Sequence, residues 1–266
     1  LQSQKIMKVA QELYDGLNLG AAHGGVQGLI TYMRTDSIRV SGFAQQSCAE
    51  FIKEKYGEEF LPKAQRSYKS NASAQDAHEA IRPSNVYITP KSIRKMLSTE
   101  QYRLYKLIWE RFIASQMESA VLDTVSVEIE NSGYLFKAGG YVIKSKGYLT
   151  IYDYVSDDNT DPETEELNLS SLPNIKNDEI LNVTSVNKQQ HFTEAPARYT
   201  EASLIKFLEE NGIGRPSTYA PIISIVISRE YVKRDGKTLA ATKLGEVITK
   251  FMREYFPEII DYEFTA

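Results

Sequence analysis

The hydrophobic period changes twice along the chain, and that constrains the fold more than any other feature. Up to about residue 118, apolar side chains recur at spacings of three and four. Ile6, Val9, Ala10, Leu13 and Tyr14 form one stripe closed by Gly16, and a helix capped by Ser41 carries Phe43, Ala44, Cys48, Phe51, Ile52 and Tyr56 up to Gly57. Ser98 with Gln101 makes a capping box for a helix whose Tyr102, Tyr105, Trp109, Phe112, Ile113 and Gln116 read as core. From about 119 the period falls to two, with Val125, Val127 and Ile129 alternating with polar residues. Further strands are expected at 134–138, 141–146, 148–155 and 180–186, with turns at Gly139-Gly140 and Gly147 and a long acidic loop over 156–173. Helical spacing returns at Thr200, which caps 201–208 before Gly212 and Gly214, and Ser217 caps 218–228. A hairpin turning at Asp235-Gly236 and a last helix with Leu244, Val247, Ile248, Phe251 and Tyr255 follow. The pattern predicts a multi-domain α+β protein divided into 1–118 (helical), 119–195 (antiparallel β) and 196–266 (helical, with a wing-like hairpin). The length of 266 residues suits at least two compact units at roughly 100 to 200 residues each.

Charge narrows the partners. The chain has 31 Lys and Arg against 35 Asp and Glu, a net of −4. Residues 156–180 hold eight of the acids and one base, which leaves 30 bases against 27 acids elsewhere, a net of +3. A mildly basic body with a segregated acidic loop can present a phosphate-binding surface. A single cysteine, Cys48, excludes a disulfide framework or thiolate cage within these residues and reads as a small buried side chain. No apolar run approaches the ~20 residues of a membrane span, so the expectation is a cytoplasmic protein, acting as a monomer. The chain opens inside a helical pattern and reads as a piece of something longer.

Three segments concentrate groups suited to phosphate chemistry. In Thr31-Tyr32-Met33-Arg34-Thr35-Asp36-Ser37, an extended backbone would place Tyr32, Arg34 and Asp36 on one face. A tyrosyl oxygen, with its ordinary pKa near 10, needs nearby positive charge to attack a phosphodiester, and the developing charge needs fixed donors. The plainer alternative is a half-buried tyrosine beside an Arg34–Asp36 ion pair. In Asp76-Ala77-His78-Glu79-Ala80-Ile81-Arg82-Pro83, an acid pair, a histidine and an arginine lie within seven residues. That group is either a phosphate contact or a salt-bridge cluster at a helix end. In Asn211-Gly212-Ile213-Gly214-Arg215-Pro216-Ser217-Thr218-Tyr219, two glycines allow close backbone approach, Arg215 offers a forked donor, and Ser217 and Thr218 stand at a helix N-terminus.

In this order, the three segments resemble the active-site motifs of the bacterial type IA DNA topoisomerases. Met33 fits the topoisomerase I branch better than the topoisomerase III branch. The resemblance covers essentially the whole chain. It implies an enzyme that cuts one DNA strand through a 5′-phosphotyrosyl link, passes another strand and reseals without ATP, relaxing negative supercoils. It further implies Tyr32 as nucleophile, Arg34 stabilising the phosphate and His78 contacting the backbone near the cut. Arg215, Ser217, Thr218 and Arg229 would hold strand phosphates, with Asp36, Glu79 and Arg82 in support. Residues 119–195 would be the β arch and 196–266 part of the base. The partner implied is DNA, preferentially single-stranded, and the location nucleoid-associated. The family's Mg²⁺ site belongs to an acidic domain whose motif is not found in these residues, and Asp157, Asp158 and Asp161 are not taken as a substitute. No metal ligand is therefore expected here, and the chain alone should not relax DNA. The competing readings are a non-catalytic helix-turn-helix and wing module that binds DNA, and a structural interaction fragment.

Overall fold

A computed structural model describes residues 2–68, 78–152, 175–261 and 264. The acidic loop expected at 156–173 lies outside these residues, as do Asp76 and Ala77. The chain forms two compact units, one of residues 1–41, 67–109 and 194–266, the other of 42–66 and 110–193. Among the described residues the architecture is mixed, with six α-helices and three two-stranded antiparallel sheets.

In the first unit, α1 (Ser3–Asp15) buries Val9, Ala10 and Leu13 and ends at Gly16, whose positive φ of 112° suits glycine. The short strands β1 (Leu17–Asn18) and β2 (Val26–Gln27) then return the chain to the end of α1, where the Leu29 N–H donates to the Leu13 carbonyl at 2.7 Å. Gly28 is needed at this point because a Cβ there would sit 2.7 Å from the Tyr14 carbonyl oxygen. The helix α3 (Thr99–Gln116) carries the expected capping box, with Ser98 N–H donating to Gln101 and Gln101 N–H to the Ser98 hydroxyl. Its N-terminal part locks the loop at 85–97, since the Tyr105 hydroxyl donates to the Ile88 carbonyl at 2.6 Å and Trp109 Nε1 to the Val86 carbonyl at 2.9 Å. Both aromatics are buried.

The rest of this unit comes from the far end of the chain. Thr200 caps α4 (Glu201–Glu210) as expected, using Ser203 as its capping-box partner. A turn leads to α5 (Tyr219–Ser228), which packs on α1. The hairpin β5 (Val232–Asp235) and β6 (Thr238–Ala241) precedes α6 (Lys243–Tyr255), capped by Thr242. Glu201 joins the two ends of the sequence. One carboxylate oxygen accepts from the Ser3 N–H at 2.8 Å and hydroxyl at 2.7 Å, and the other accepts from Arg234 Nε at 3.0 Å and Nη2 at 2.8 Å. Burial acts to raise the Glu201 pKa, but these donors hold it below the usual carboxylate value.

In the second unit α2 (Gly42–Lys55) buries Ala44, Cys48, Phe51 and Ile52. Burial pushes the Cys48 thiol up to about 12, so it is an inert packing group. Phe43, placed with the core by its spacing, is 84% exposed. The strands β3 (Val121–Asn131) and β4 (Tyr134–Ser145) pair in a long ribbon through a two-residue turn at Ser132 and Gly133, both with positive φ.

The β expectation needs three corrections. Gly139 and Gly140 do not turn the chain; they lie within β4 opposite Ser126 and Val125, so the two short strands predicted there are one. Residues 148–152 are not a strand, because Gly147–Thr150 is a 3-10 turn that Gly147 enters with a φ of 45°. Residues 180–186 pair with no strand among the described residues and are not a strand. Alternation alone does not make a strand without a neighbour to take its hydrogen bonds.

Gly28→Ala should destabilise the protein by about 1–3 kcal/mol, because backbone faces the added methyl and cannot yield. Gly42→Ala, where a Cβ meets nothing within 4 Å, should cost nothing. Urea denaturation of the two variants checks the contrast.

Candidate active site

Thr31 joins the first two motifs. Its N–H donates to the Arg82 carbonyl at 2.9 Å, its hydroxyl donates to the Ala80 carbonyl at 2.7 Å, and the Arg82 N–H donates to that hydroxyl at 2.9 Å. Ile30 and Pro83 form an antiparallel bridge beside these bonds, Ser84 N–H donates to the Leu29 carbonyl, and Ala80 N–H donates to the Arg39 carbonyl. The segment is not the extended strand its spacing suggests, since the backbone bends at Thr31, Met33 and Arg34. Side chains still divide between two sides. Leu29, Ile30, Met33 and Ser37 are buried, whereas Tyr32 and Arg34 face solvent.

Tyr32 is 41% exposed, and its ring meets the edge of Tyr14 at 5.3 Å and 65°. Among the described residues its hydroxyl has no hydrogen-bond partner, and Arg34 has no ion-pair partner, so the Arg34–Asp36 pair of the plainer reading does not form. A phenol and a guanidinium two residues apart thus both face solvent, neither held by a polar partner among the described residues.

The second motif has an interior role and an open one. Glu79 and Arg82 pair at 2.7 Å with side chains only 24% and 13% exposed, and Ser41 N–H donates to the other Glu79 oxygen at 2.8 Å. Arg82 also donates to the Pro83 carbonyl at 3.0 Å. Burial works to raise the Glu79 pKa, but the donors from Arg82 and Ser41 hold it below the ordinary value. This is a structural pair that ties 79–83 to the segment leading into α2. His78 is half-buried, and its Nδ1 is enclosed without a hydrogen-bond partner.

The third motif forms the turn from α4 to α5. Gly214 has a φ of 80°, and its own contacts leave little space for a Cβ. Arg215 folds back over the turn, Nη1 donating to the carbonyls of Gly212 at 3.0 Å and Gly214 at 2.6 Å, with the rest of the guanidinium open. Thr218, not Ser217, is the residue before α5, and it does not cap the helix in the usual way. Its hydroxyl accepts from the Arg215 N–H at 2.8 Å and donates to the Arg215 carbonyl at 3.1 Å. Ser217 is exposed, with a hydroxyl that has no partner among the described residues.

The first and third motifs meet at a cavity of about 610 Å³ between α1 and α5, to which Arg34 and Ser217 both contribute. Asp36 lies close enough to Tyr219 to help burial and Glu209 push that phenol up, against the pull of Arg215. Arg229 stands exposed at the C-terminal end of α5 and does not line the cavity. Sequence spacing missed three contributors: Thr31, whose hydroxyl joins two motifs 49 residues apart, Tyr14, which reads as core in the α1 stripe, and Lys8, a polar position of that helix which lines the cavity. Among the described residues no group of three or more His, Cys, Asp or Glu could hold a metal ion, and no helix is long and apolar enough to cross a membrane.

Arg34 of the tyrosine–arginine loop and Ser217 of the two-helix turn thus border one cleft. The sequence profile of the DNA topoisomerase family matches residues 1–266, and the chain belongs to that family, in its bacterial type IA branch. The fold is similar to that of full-length topoisomerase I from Thermotoga maritima, with a TM-score of 0.79 and 32% sequence identity over all of this chain and 41% of that one. The chain thus spans less than half the length of that relative.

The Glu79 pKa lies below its unfolded value, so the stabilisation from its pairing is complete above the ordinary 4.5 and is lost as pH falls below it. Glu79→Gln should lower stability by about 1–3 kcal/mol at pH 7. It should also flatten the fall in thermal midpoint between pH 5 and pH 3, which a pH series of melting curves measures.

Proposed function

We propose that this chain carries the strand-cutting chemistry of a type IA topoisomerase. Tyr32 Oη attacks a DNA phosphorus, the P–O3′ bond breaks, and the proton lost from the phenol is balanced by the one gained at the leaving 3′-hydroxyl. The product is a 5′-phosphotyrosyl link and a free 3′ end. The reverse attack by that 3′-hydroxyl restores the strand and frees Tyr32. Because the phosphotyrosyl link conserves the bond energy, resealing after strand passage needs no ATP, and passage under torsion relaxes negative supercoils. Arg34 offers two parallel donors to the charge developing on phosphorus. His78 serves the backbone near the cut, Arg215 and Ser217 hold strand phosphates, Thr218 shapes the turn that presents them, and Arg229 extends the contact. The substrate is a single strand, since Tyr32 must reach a phosphate freed from its duplex.

The observation that carries this reading is exposed Tyr32, whose hydroxyl has no partner among the described residues, two residues from an Arg34 that has no ion-pair partner among them, on a loop fixed at both ends. A helix-turn-helix and wing module that only binds DNA gives no reason for such a pair. A Mg²⁺ ion would organise the phosphates around the cut. The described residues offer no donor set that fits one.

In the complete gene product that carries this chain, Tyr32→Phe should abolish covalent capture of DNA and leave non-covalent binding within about twofold. With wild type, label at the 3′ end of a single-stranded oligonucleotide should stay with the protein and label at the 5′ end should not. Adducts that persist in the variant, or that keep the 5′ label, would refute the assignment. The 266-residue chain alone, with Mg²⁺, should not relax supercoiled plasmid.

A further inference from the structure

The cavity between α1 and α5 holds polar groups beyond the Arg34 and Ser217 that the proposed chemistry uses. Five polar side chains in its lining have no hydrogen-bond or ion-pair partner among the described residues: Gln4 and Lys8 on α1, Arg34, and Ser217 and Ser224. Two are cations, and all five can donate. The acid in the lining, Glu12, is engaged by Gln101 Nε2 at 2.9 Å. Met7, Pro221 and Ile225 supply apolar wall. Donors without acceptors around an apolar slot call for a ligand with an anionic end and a flat, weakly polar body, and about 610 Å³ is ample for one nucleotide.

We infer that this cleft receives one nucleotide of the DNA strand, its phosphate on Lys8, Arg34 and Ser217 and its base against Met7, Pro221 and Ile225. The inference rests on the reading of Tyr32 and Arg34 given above, and adds a seat beside the cut, with Lys8 as a phosphate contact contributed by α1. The base would lie against apolar walls, with Gln4 the only uncommitted amide to read its edge, so little preference among bases is expected.

The test is binding of a single-stranded oligonucleotide to the 266-residue chain, followed by fluorescence anisotropy across a salt series. Lys8 is exposed, so Lys8→Gln should leave the fold intact, which its melting temperature checks. It should weaken binding about fivefold at 0.1 M salt and reduce the log–log salt slope by about 0.7. Lys5→Gln is the control, because Lys5 lies on the same helix, pairs with Glu100 and does not line the cavity. It should change neither quantity. In a series of oligonucleotides with one abasic site moved along the strand, wild type should lose about fivefold at one position. Ser224→Phe, which fills the slot, should remove that dependence. Free deoxynucleoside monophosphate at micromolar concentration should not compete.

Equal effects of Lys5→Gln and Lys8→Gln, or none from either, overturn the cleft, as does an abasic series with no preferred position. Competition by free nucleotide reassigns the cleft to a small ligand and overturns the strand seat. If wild type binds no single strand, this inference and the functional reading both fall. If Tyr32→Phe still forms adducts while the Lys8 and abasic results hold, the cleft stands and only the nucleophile is wrong.

Discussion

The Thr31 side chain is the contact on which the rest of the site depends. Its hydroxyl gives a proton to the Ala80 carbonyl and takes one from the Arg82 N–H, while its own N–H reaches the Arg82 carbonyl. One residue therefore makes three of the bonds that pair two irregular segments, beside the Ile30–Pro83 bridge and the bonds from Ser84 to Leu29 and Ala80 to Arg39. The bonds are partly buried, so water competes poorly for them. The buried side chains of Leu29, Ile30 and Met33 hold the loop from beneath. Tyr32 and Arg34 are positioned by their neighbours and make no polar contact of their own. That is how a side chain can be placed firmly and still leave its reactive atom free.

The same logic appears one layer out. The Glu79–Arg82 pair sets opposite charges together in the partly buried second motif, and Glu201 gathers Ser3 and Arg234 so that the first helix and the last hairpin hold to one body. Against that background of satisfied groups, the unpaired ones stand apart. Around the cleft and the tyrosine loop they include Tyr32, Arg34, Lys8, Gln4 and Ser217, all exposed, where an unpaired charge costs little, whereas His78 Nδ1 and Arg82 Nε are enclosed without a partner among the described residues. Local rules of pairing are broken mainly where a ligand would restore them.

Much of this was legible from the sequence, and the reasons for the failures are physical. The helices were readable because their signals are local: the Ser98–Gln101 box, the Thr200 cap and the Gly16 stop each act within four residues. Strands depend on partners far away in sequence, so alternation at 180–186 predicts a strand that no described residue pairs, and two glycines inside β4 read as a turn. The motif residues were legible as chemistry but not as geometry. Nothing in the spacing of residues 31–37 reports that the backbone bends there, or that Thr218 rather than Ser217 adjoins the helix. Reading along the chain also yields successive stretches, whereas compactness joins residues 1–41 with 194–266 through contacts such as Ser3 with Glu201.

Other tyrosines nearby make a direct identification of the attacking oxygen informative. Tyr14 touches the Tyr32 ring, and Tyr219 stands near Asp36 with its phenol pushed up by burial and by Glu209. The decisive measurement is mass spectrometry of the covalent adduct after proteolysis and nuclease trimming, with fragmentation of the modified peptide. The account predicts a 5′-phosphonucleotide on Tyr32 alone. A nucleotide on Tyr14, on Tyr219 or on any serine would contradict it.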